Sequence, residues 1–237
     1  MALMTSQDLA ERLALVQGRI AAAASRVGRA PSQVSLLPVT KSRSLEAITE
    51  IVTQAGLTTL AENRPQELAT KAEALTDLPV KWVLIGPLQT NKAGLVAGWA
   101  NQFQALDSLR TAEVLDRRLQ SLGKSLDVLI EVNTSGEVTK HGIAPDQAMA
   151  LARGLADCGS LRPIGLMTVA INSPDEAAVR ACFRSLRQVQ TQLREASNDS
   201  RWDVLSMGMS GDYEWAIEEG STMVRIGSAI FGPRTAV

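Results

Sequence analysis

The sequence predicts a closed (β/α)8 barrel, and three observations lead there. Eight short apolar runs alternate with segments of helical periodicity after one leading helix. The first of them, Ser35 to Lys41, is largely apolar along its length rather than alternating, as expected of a strand buried on both faces of a parallel sheet. The length of 237 residues, 45% of them hydrophobic, can bury a sizeable core and is ordinary for one such barrel. A single domain over residues 1–237 is expected, since no repeat, linker or low-complexity tract interrupts the alternation.

In the leading segment, residues 1–27, Leu9, Leu13, Val16, Ile20 and Val27 recur at steps of three and four, which makes an amphipathic helix ending near Gly28. Asp8, Glu11 and Arg12 break any continuous apolar stretch, so the segment reads as neither signal peptide nor membrane span. Ser35 to Lys41 is the first strand. Leu45, Ile48, Ile51 and Val52 have helical spacing, with Gly56 as the stop. Thr58 to Glu62 is the second strand, and Asn63 opens a helix through about Leu75. Trp82 to Pro87 is the third strand with its turn, Thr90 to Trp99 a short helix, and Gln102 to Leu106 the fourth strand. A helix from about Arg110 to Leu122 stops at Gly123. Leu126 to Val132 is the fifth strand, followed by a polar loop, Asn133 to Gly142. Pro145 and Asp146 begin a helix that Gly159 ends, and Arg162 to Met167 is the sixth strand. Val179, Cys182, Phe183, Leu186, Val189 and Leu193 mark a long helix whose apolar stripe faces the core. Trp202 to Ser206 is the seventh strand, Tyr213 to Glu219 a helix, and Thr222 to Ile226 the eighth strand.

Net charge is −1 with a pI near 6.0 and interspersed signs, so neither nucleic acid nor an anionic membrane is an expected partner. Cys158 and Cys182 lie in predicted helices without metal-ligand spacing; no disulfide is expected, which suits a reducing cytoplasm. His141 is the only histidine. With no Cys/His/Asp/Glu cluster at ligand spacing, a metal site is not expected, and the absence of a Gly-x-Ser-x-Gly elbow argues against a serine triad.

Lys41 is the first residue that suggests chemistry. It ends a buried strand, and ligands in parallel α/β folds are held at the carboxyl ends of strands. A partly desolvated amine there can attack a carbonyl as a Schiff-base nucleophile, whereas a solvated lysine would serve only solubility. The turns Gly208-Met209-Ser210-Gly211-Asp212 and Arg225-Ile226-Gly227-Ser228 follow strands seven and eight, where barrels hold phosphate; each is also consistent with ordinary helix capping. Arg225 points either into the mouth or to a surface pair. Asn63, beside Glu62, either reaches the mouth or caps a helix. The long loop is either a ligand-face loop or a tolerated insertion. A lysine and a phosphate site in one mouth leave two uses, a class I aldolase and a holder of pyridoxal 5′-phosphate (PLP).

The segments Val39-Thr40-Lys41, Glu62-Asn63, Ile85-Gly86-Pro87-Leu88-Gln89-Thr90-Asn91-Lys92, Gly165-Leu166-Met167, Ser206-Met207-Gly208-Met209-Ser210 and Ser221-Thr222-Met223-Val224-Arg225-Ile226-Gly227-Ser228-Ala229-Ile230-Phe231-Gly232 occur in order over nearly the whole chain. They resemble the pyridoxal-phosphate homeostasis proteins, formerly called proline synthetase co-transcribed proteins. The resemblance implies the barrel of the alanine racemase N-terminal domain, PLP fold type III, without that enzyme's second domain. It implies that Lys41 binds PLP covalently as a Schiff base and that Ser210, Gly227 and Ser228, with Met209 in the same turn, hold the phosphate. It further implies that Arg225 faces the pyridine nitrogen, that Asn63 lies beside the ring, and that Lys140 occupies the position of the family's loop lysine. The chain departs from the family pattern at Ala61-Glu62-Asn63-Arg64, Trp82-Val83 and Gly211-Asp212, where Arg64 and Val83 would change the polarity of the mouth.

The expected function is therefore a PLP holder in vitamin B6 homeostasis, a cytoplasmic monomer that exchanges cofactor with PLP-dependent apoenzymes. Racemisation needs a base on each face of the substrate, and Lys41 serves one. The sole tyrosine, Tyr213, is predicted on a helix, and an arginine at the pyridine nitrogen weakens the ring as an electron sink. The alternative is a fold-type III racemase-like enzyme acting through Lys41.

Overall fold

The computed structural model describes residues 6–197 and 200–232, so residues 1–5 of the predicted leading segment lie outside the described residues. Helix α1 (Ser6–Arg26) buries Leu9, Leu13, Val16 and Ile20 on one face, as their spacing requires, and packs on the last two helices of the chain. The strand–helix units follow as β1 (Ser35–Pro38), α2 (Leu45–Ala55), β2 (Thr59–Glu62), α3 (Pro65–Ala74), β3 (Lys81–Leu84), α4 (Ala93–Trp99), β4 (Gln102–Leu106), α5 (Leu109–Ser121) and β5 (Leu126–Glu131). Then come α6 (Ala148–Gly154), β6 (Leu161–Met167), α7 (Glu176–Ser197), β7 (Val204–Ser206), α8 (Tyr213–Glu218), β8 (Met223–Ile226) and the short α9 (Ser228–Phe231).

All eight strands pair in parallel in the order β1-β8-β7-β6-β5-β4-β3-β2. The ring closes between β1 and β2 through one bridge, Val39 to Ala61, where the Thr40 N–H donates to the Ala61 carbonyl at 2.9 Å. This is the predicted barrel. Its main core lies between strands and helices, and a separate apolar cluster of Leu37, Val39, Ala61 and Val83 fills the interior beside β1 to β3. Val83, expected to alter the mouth, is buried in that cluster. Beside β4 to β8 the interior is polar, with Gln104, Glu131, Thr168, Ser206 and Arg225 all buried.

Element ends depart from expectation where local chemistry intervenes. The first strand ends at Pro38, which has no N–H to give β2; Val39 still donates to the Ile226 carbonyl at 2.8 Å, and the chain continues through an isolated bridge into a turn at Lys41. The third helix begins at Pro65 with Arg64 at its cap, so Asn63 does not cap it. A 3-10 turn over Ser200–Trp202 buries the Trp202 side chain and delays the seventh strand to Val204.

Gly165 shows how tightly the strands approach: a Cβ there would lie 2.0 Å from the Val204 carbonyl oxygen of β7. Gly165→Ala must push β7 away, and overpacking of this kind costs ~1–3 kcal/mol. Urea unfolding is expected to show a lower midpoint at unchanged slope.

Candidate functional site

The carboxyl ends of β1, β3, β7 and β8 surround a cavity of about 260 Å³ lined by Val39, Lys41, Arg43, Ile85, Met209, Ser210, Gly211, Arg225, Gly227 and Ser228. Lys41 is half-buried in the turn after β1, Met209 and Ser228 are exposed, and Arg225 is buried. Six of the seven sequence-predicted site residues thus share one cavity. Asn63 does not line it; it is half-buried at the adjacent end of β2, against Gly86. A Cβ on Gly86 would lie 2.0 Å from the Asn63 carbonyl oxygen, so glycine there is what lets the chain pass over Asn63.

Arg225 points inward. Its Nη1 donates to the Ser206 carbonyl at 2.7 Å and to the Ser206 Oγ at 2.9 Å, and its Nη2 donates to the Thr168 carbonyl at 2.8 Å. These acceptors hold the cation at the inner wall. Burial pushes the guanidinium down to about 10, against the fields of Glu131 and Asp212, so it remains charged at neutral pH.

The two turns meet. The Ala229 N–H donates to the Ser210 Oγ across them at 3.4 Å, a long bond, while Asp212 rather than Ser210 stands at the α8 cap and accepts from the Met209 N–H at 2.6 Å. The serines are therefore placed at the cavity and not spent on capping the helix after β7. The Arg43 guanidinium ties the turn after β1 to the carbonyls of Phe231 and Gly232, at 3.0 and 2.6 Å, which joins the first and last strands at the mouth.

The loop after β5 folds back as a parallel bridge between Val132 and Ile143. Lys140 pairs with Glu137 and donates to the Ala170 carbonyl at 2.8 Å, His141 is exposed, and neither lines the cavity. Arg64 is exposed. Among the described residues no group of acidic, Cys and His side chains could hold a metal ion, and no helix is long and apolar enough to cross a membrane.

Sequence reasoning missed Thr168 and Ser206, which seat Arg225, and Glu131 at the end of β5. Their signal was weak because a hydroxyl or carboxylate at a strand end reads equally well as a loop residue. The Glu131 side chain is buried and its Oε2 has no hydrogen-bond partner. Burial pushes its carboxyl up to about 7, against the pull of Arg225. Because this acid is raised above its ordinary value of 4.5, its contribution to stability is fully present below about pH 4.5 and is lost as pH rises through about 7. Glu131→Gln removes that loss. Urea unfolding of cofactor-free protein at pH 5 and pH 8 is expected to show the parent losing up to about 3 kcal/mol more than the variant between the two.

The family model described as alanine racemase, N-terminal domain, matches residues 13–235. A Vibrio cholerae protein named pyridoxal phosphate homeostasis protein is 42% identical over 232 residues, covering 96% of this chain and 97% of its own. The structure of PipY from Synechococcus elongatus, with PLP bound, has a TM-score of 0.81 at 33% identity, covering 94% of this chain and 100% of that one. An alanine racemase of Clostridium difficile shares the fold, with a TM-score of 0.76 at 14% identity, over 97% of this chain and 58% of that enzyme. By model and by relatives alike, the chain belongs to the alanine racemase N-terminal domain family and, within it, to the pyridoxal phosphate homeostasis proteins.

Proposed function

We propose that this chain holds PLP reversibly, bonded to Lys41, and buffers or delivers it to PLP-dependent apoenzymes. In this reading it is one domain over its whole length and works as a cytoplasmic monomer without catalysis of its own. The observation that carries the proposal is the convergence of an amine, two serine-bearing turns and a buried guanidinium on one cavity. The names and the bound cofactor of its relatives point the same way.

The donor set fits the group. The cavity of about 260 Å³ lies near the small end of ligand sites, roughly 300–1,000 Å³. When bound, PLP supplies an aldehyde that a primary amine captures reversibly. Lys41 would supply that amine. Ser210 and Ser228 would offer hydroxyls, and Gly227 and Met209 backbone, to its phosphate. Arg225, kept charged and already hydrogen-bonded to Ser206 and Thr168, would face the pyridine nitrogen and disfavour a proton there. Val39 and Ile85 would exclude water from the apolar side, whereas Asn63, outside the cavity lining, would approach the ring only from the adjacent end of β2.

A holder rather than a racemase is supported by the position of Tyr213. It is buried beneath Arg19 of α1, whose guanidinium carbon lies 5.4 Å from the ring centroid, and it does not line the cavity. Two buried cysteines without a disulfide suit the cytoplasm.

Borohydride reduction of PLP-loaded protein followed by peptide mapping is expected to place the pyridoxyl adduct on Lys41, and Lys41→Ala to abolish it. An adduct on Lys92 or Lys140 with Lys41 unmodified would overturn the assignment. Ser210→Ala and Ser228→Ala are each expected to weaken PLP binding roughly tenfold or more, the loss of one charge-assisted hydrogen bond. With amino acids in deuterated water, α-proton exchange is expected at no more than the rate of free PLP; faster exchange would favour the racemase reading.

A further inference from the structure

We propose that Glu67 and Lys71 of α3, with Glu62 of β2, are the positioning residues for Lys41, clamping the peptide groups on both sides of it. The inference rests on the reading of Lys41 as the covalent anchor. Lys41 occupies a turn between Thr40 and Ser42. On one side the Thr40 carbonyl accepts from the Lys71 Nζ at 2.7 Å, and the Thr40 Oγ1 donates to the Glu62 Oε1 at 2.6 Å. On the other, the Ser42 N–H donates to the Glu67 Oε1 at 2.7 Å. Lys71 joins the two sides: its Nζ also donates to Glu62 at 2.6 Å and to Glu67 at 2.7 Å, so all three ammonium donors are used.

The cluster is built for rigidity rather than solubility. The side chains of Lys71 and Glu62 are 7% and 0% exposed. Burial pushes the Glu62 carboxyl up, opposed by its bonds from Lys71 and Thr40. Burial also acts on Glu67, but the bonds from Lys71 and the Ser42 N–H outweigh it and hold that carboxyl below its ordinary value. Such a network is costly if half-satisfied, so it holds one geometry. That geometry includes strain: Ser42 has φ of 58°, and it is the one non-glycine residue with positive φ among the described residues. An L-residue keeps this conformation only where its surroundings over-determine it. Here the anchored N–H of Ser42 and the anchored carbonyl of Thr40 do so, and the result aims Lys41 at the cavity its side chain lines.

None of these three side chains lines the cavity, so their effect must pass through Lys41. The test separates capture of the aldehyde from binding of the rest of the molecule by using two probes, PLP and pyridoxine 5′-phosphate, which has an alcohol in place of the aldehyde. Glu67→Ala removes the Ser42 anchor; it is expected to weaken PLP binding at least tenfold and to slow borohydride trapping, while the affinity for pyridoxine 5′-phosphate stays within twofold of the parent. Glu67→Gln, which keeps a carbonyl acceptor, is expected to restore PLP affinity to within about threefold. Ser42→Gly leaves the charged cluster intact and only frees the turn, so it is expected to weaken PLP binding by about two- to fivefold, again without affecting the alcohol. It carries the test should Glu67→Ala not fold. Equal affinities for PLP in parent, Glu67→Ala and Ser42→Gly, or a parallel loss of both probes, would overturn the positioning role. A parent protein that binds PLP no better than it binds the alcohol, or is not trapped at Lys41, would instead overturn the reading of the anchor.

Discussion

A guanidinium inside a closed barrel must be given acceptors, because an ion taken out of water costs several kcal/mol unless its donors are met. Arg225 meets this requirement without a direct carboxylate bond. It uses the carbonyls of Ser206 and Thr168 and the Ser206 hydroxyl. The Ser206 carbonyl also accepts from the Thr168 N–H at 3.2 Å, so both of its lone pairs are used, one by the strand ladder and one by the cation. One side chain on β8 thereby holds the carboxyl ends of β6 and β7 in register, and the turn bearing Ser210 leaves from the end of β7. The site sits on these strand ends, so its geometry depends on this seat.

The barrel interior is divided to make the seat affordable. On the side of β1 to β3 it is filled by Leu37, Val39, Ala61 and Val83; on the side of β4 to β8 it is a chain of polar groups. The Ser206 Oγ donates to the Gln104 Oε1 at 2.7 Å, which directs the hydroxyl proton away from Arg225 and leaves a lone pair toward it. Gln104 in turn donates to Gln102 at 2.7 Å. Low dielectric strengthens each bond in such a chain when every member is satisfied. Lys41 rises from the apolar side and Arg225 from the polar side, so the two side chains reach the same cavity from different environments. One stands on a short strained turn, and the other is a fixed charge in a hydrogen-bonded seat.

The fold was legible because the strands are short, largely apolar runs, and eight such runs separated by helical periods admit few topologies. Strand ends were less legible, because they depend on single residues such as Pro38 and Trp202 whose effect is tertiary. For the candidate site, the placing of Arg225 on strand eight and of Lys41, Ser210 and Ser228 just after strands one, seven and eight was enough to gather them once the strands were in place. The inward direction of Arg225 was not readable, since its acceptors come from β6 and β7. Asn63 was ambiguous because asparagine is a good cap, and only Pro65 at the first helical position shows that the cap lies elsewhere. Lys71 left no signal: nine residues from Glu62, in a helix with ordinary i, i+4 charge pairing to Glu67, it reads as a solvated lysine.

The loop after β5 illustrates why resemblance at one position does not fix its physics. Lys140, which resemblance would match to the family's loop lysine, has its ammonium committed to Glu137 and to the Ala170 carbonyl. The Asn133 side chain donates to the Glu137 carbonyl at 2.9 Å, so the loop is closed on itself from both ends. Closing a ten-residue loop costs little more chain entropy than closing a five-residue one, which is why so few bonds hold it. Val138, at its tip, is 99% exposed and packs on nothing. The loop is therefore an ordered projection beside the mouth rather than part of its wall. A lysine engaged in holding such a projection together must give up an ion pair and a carbonyl bond before it can do anything else, whereas Lys41 already sits in the wall of the cavity.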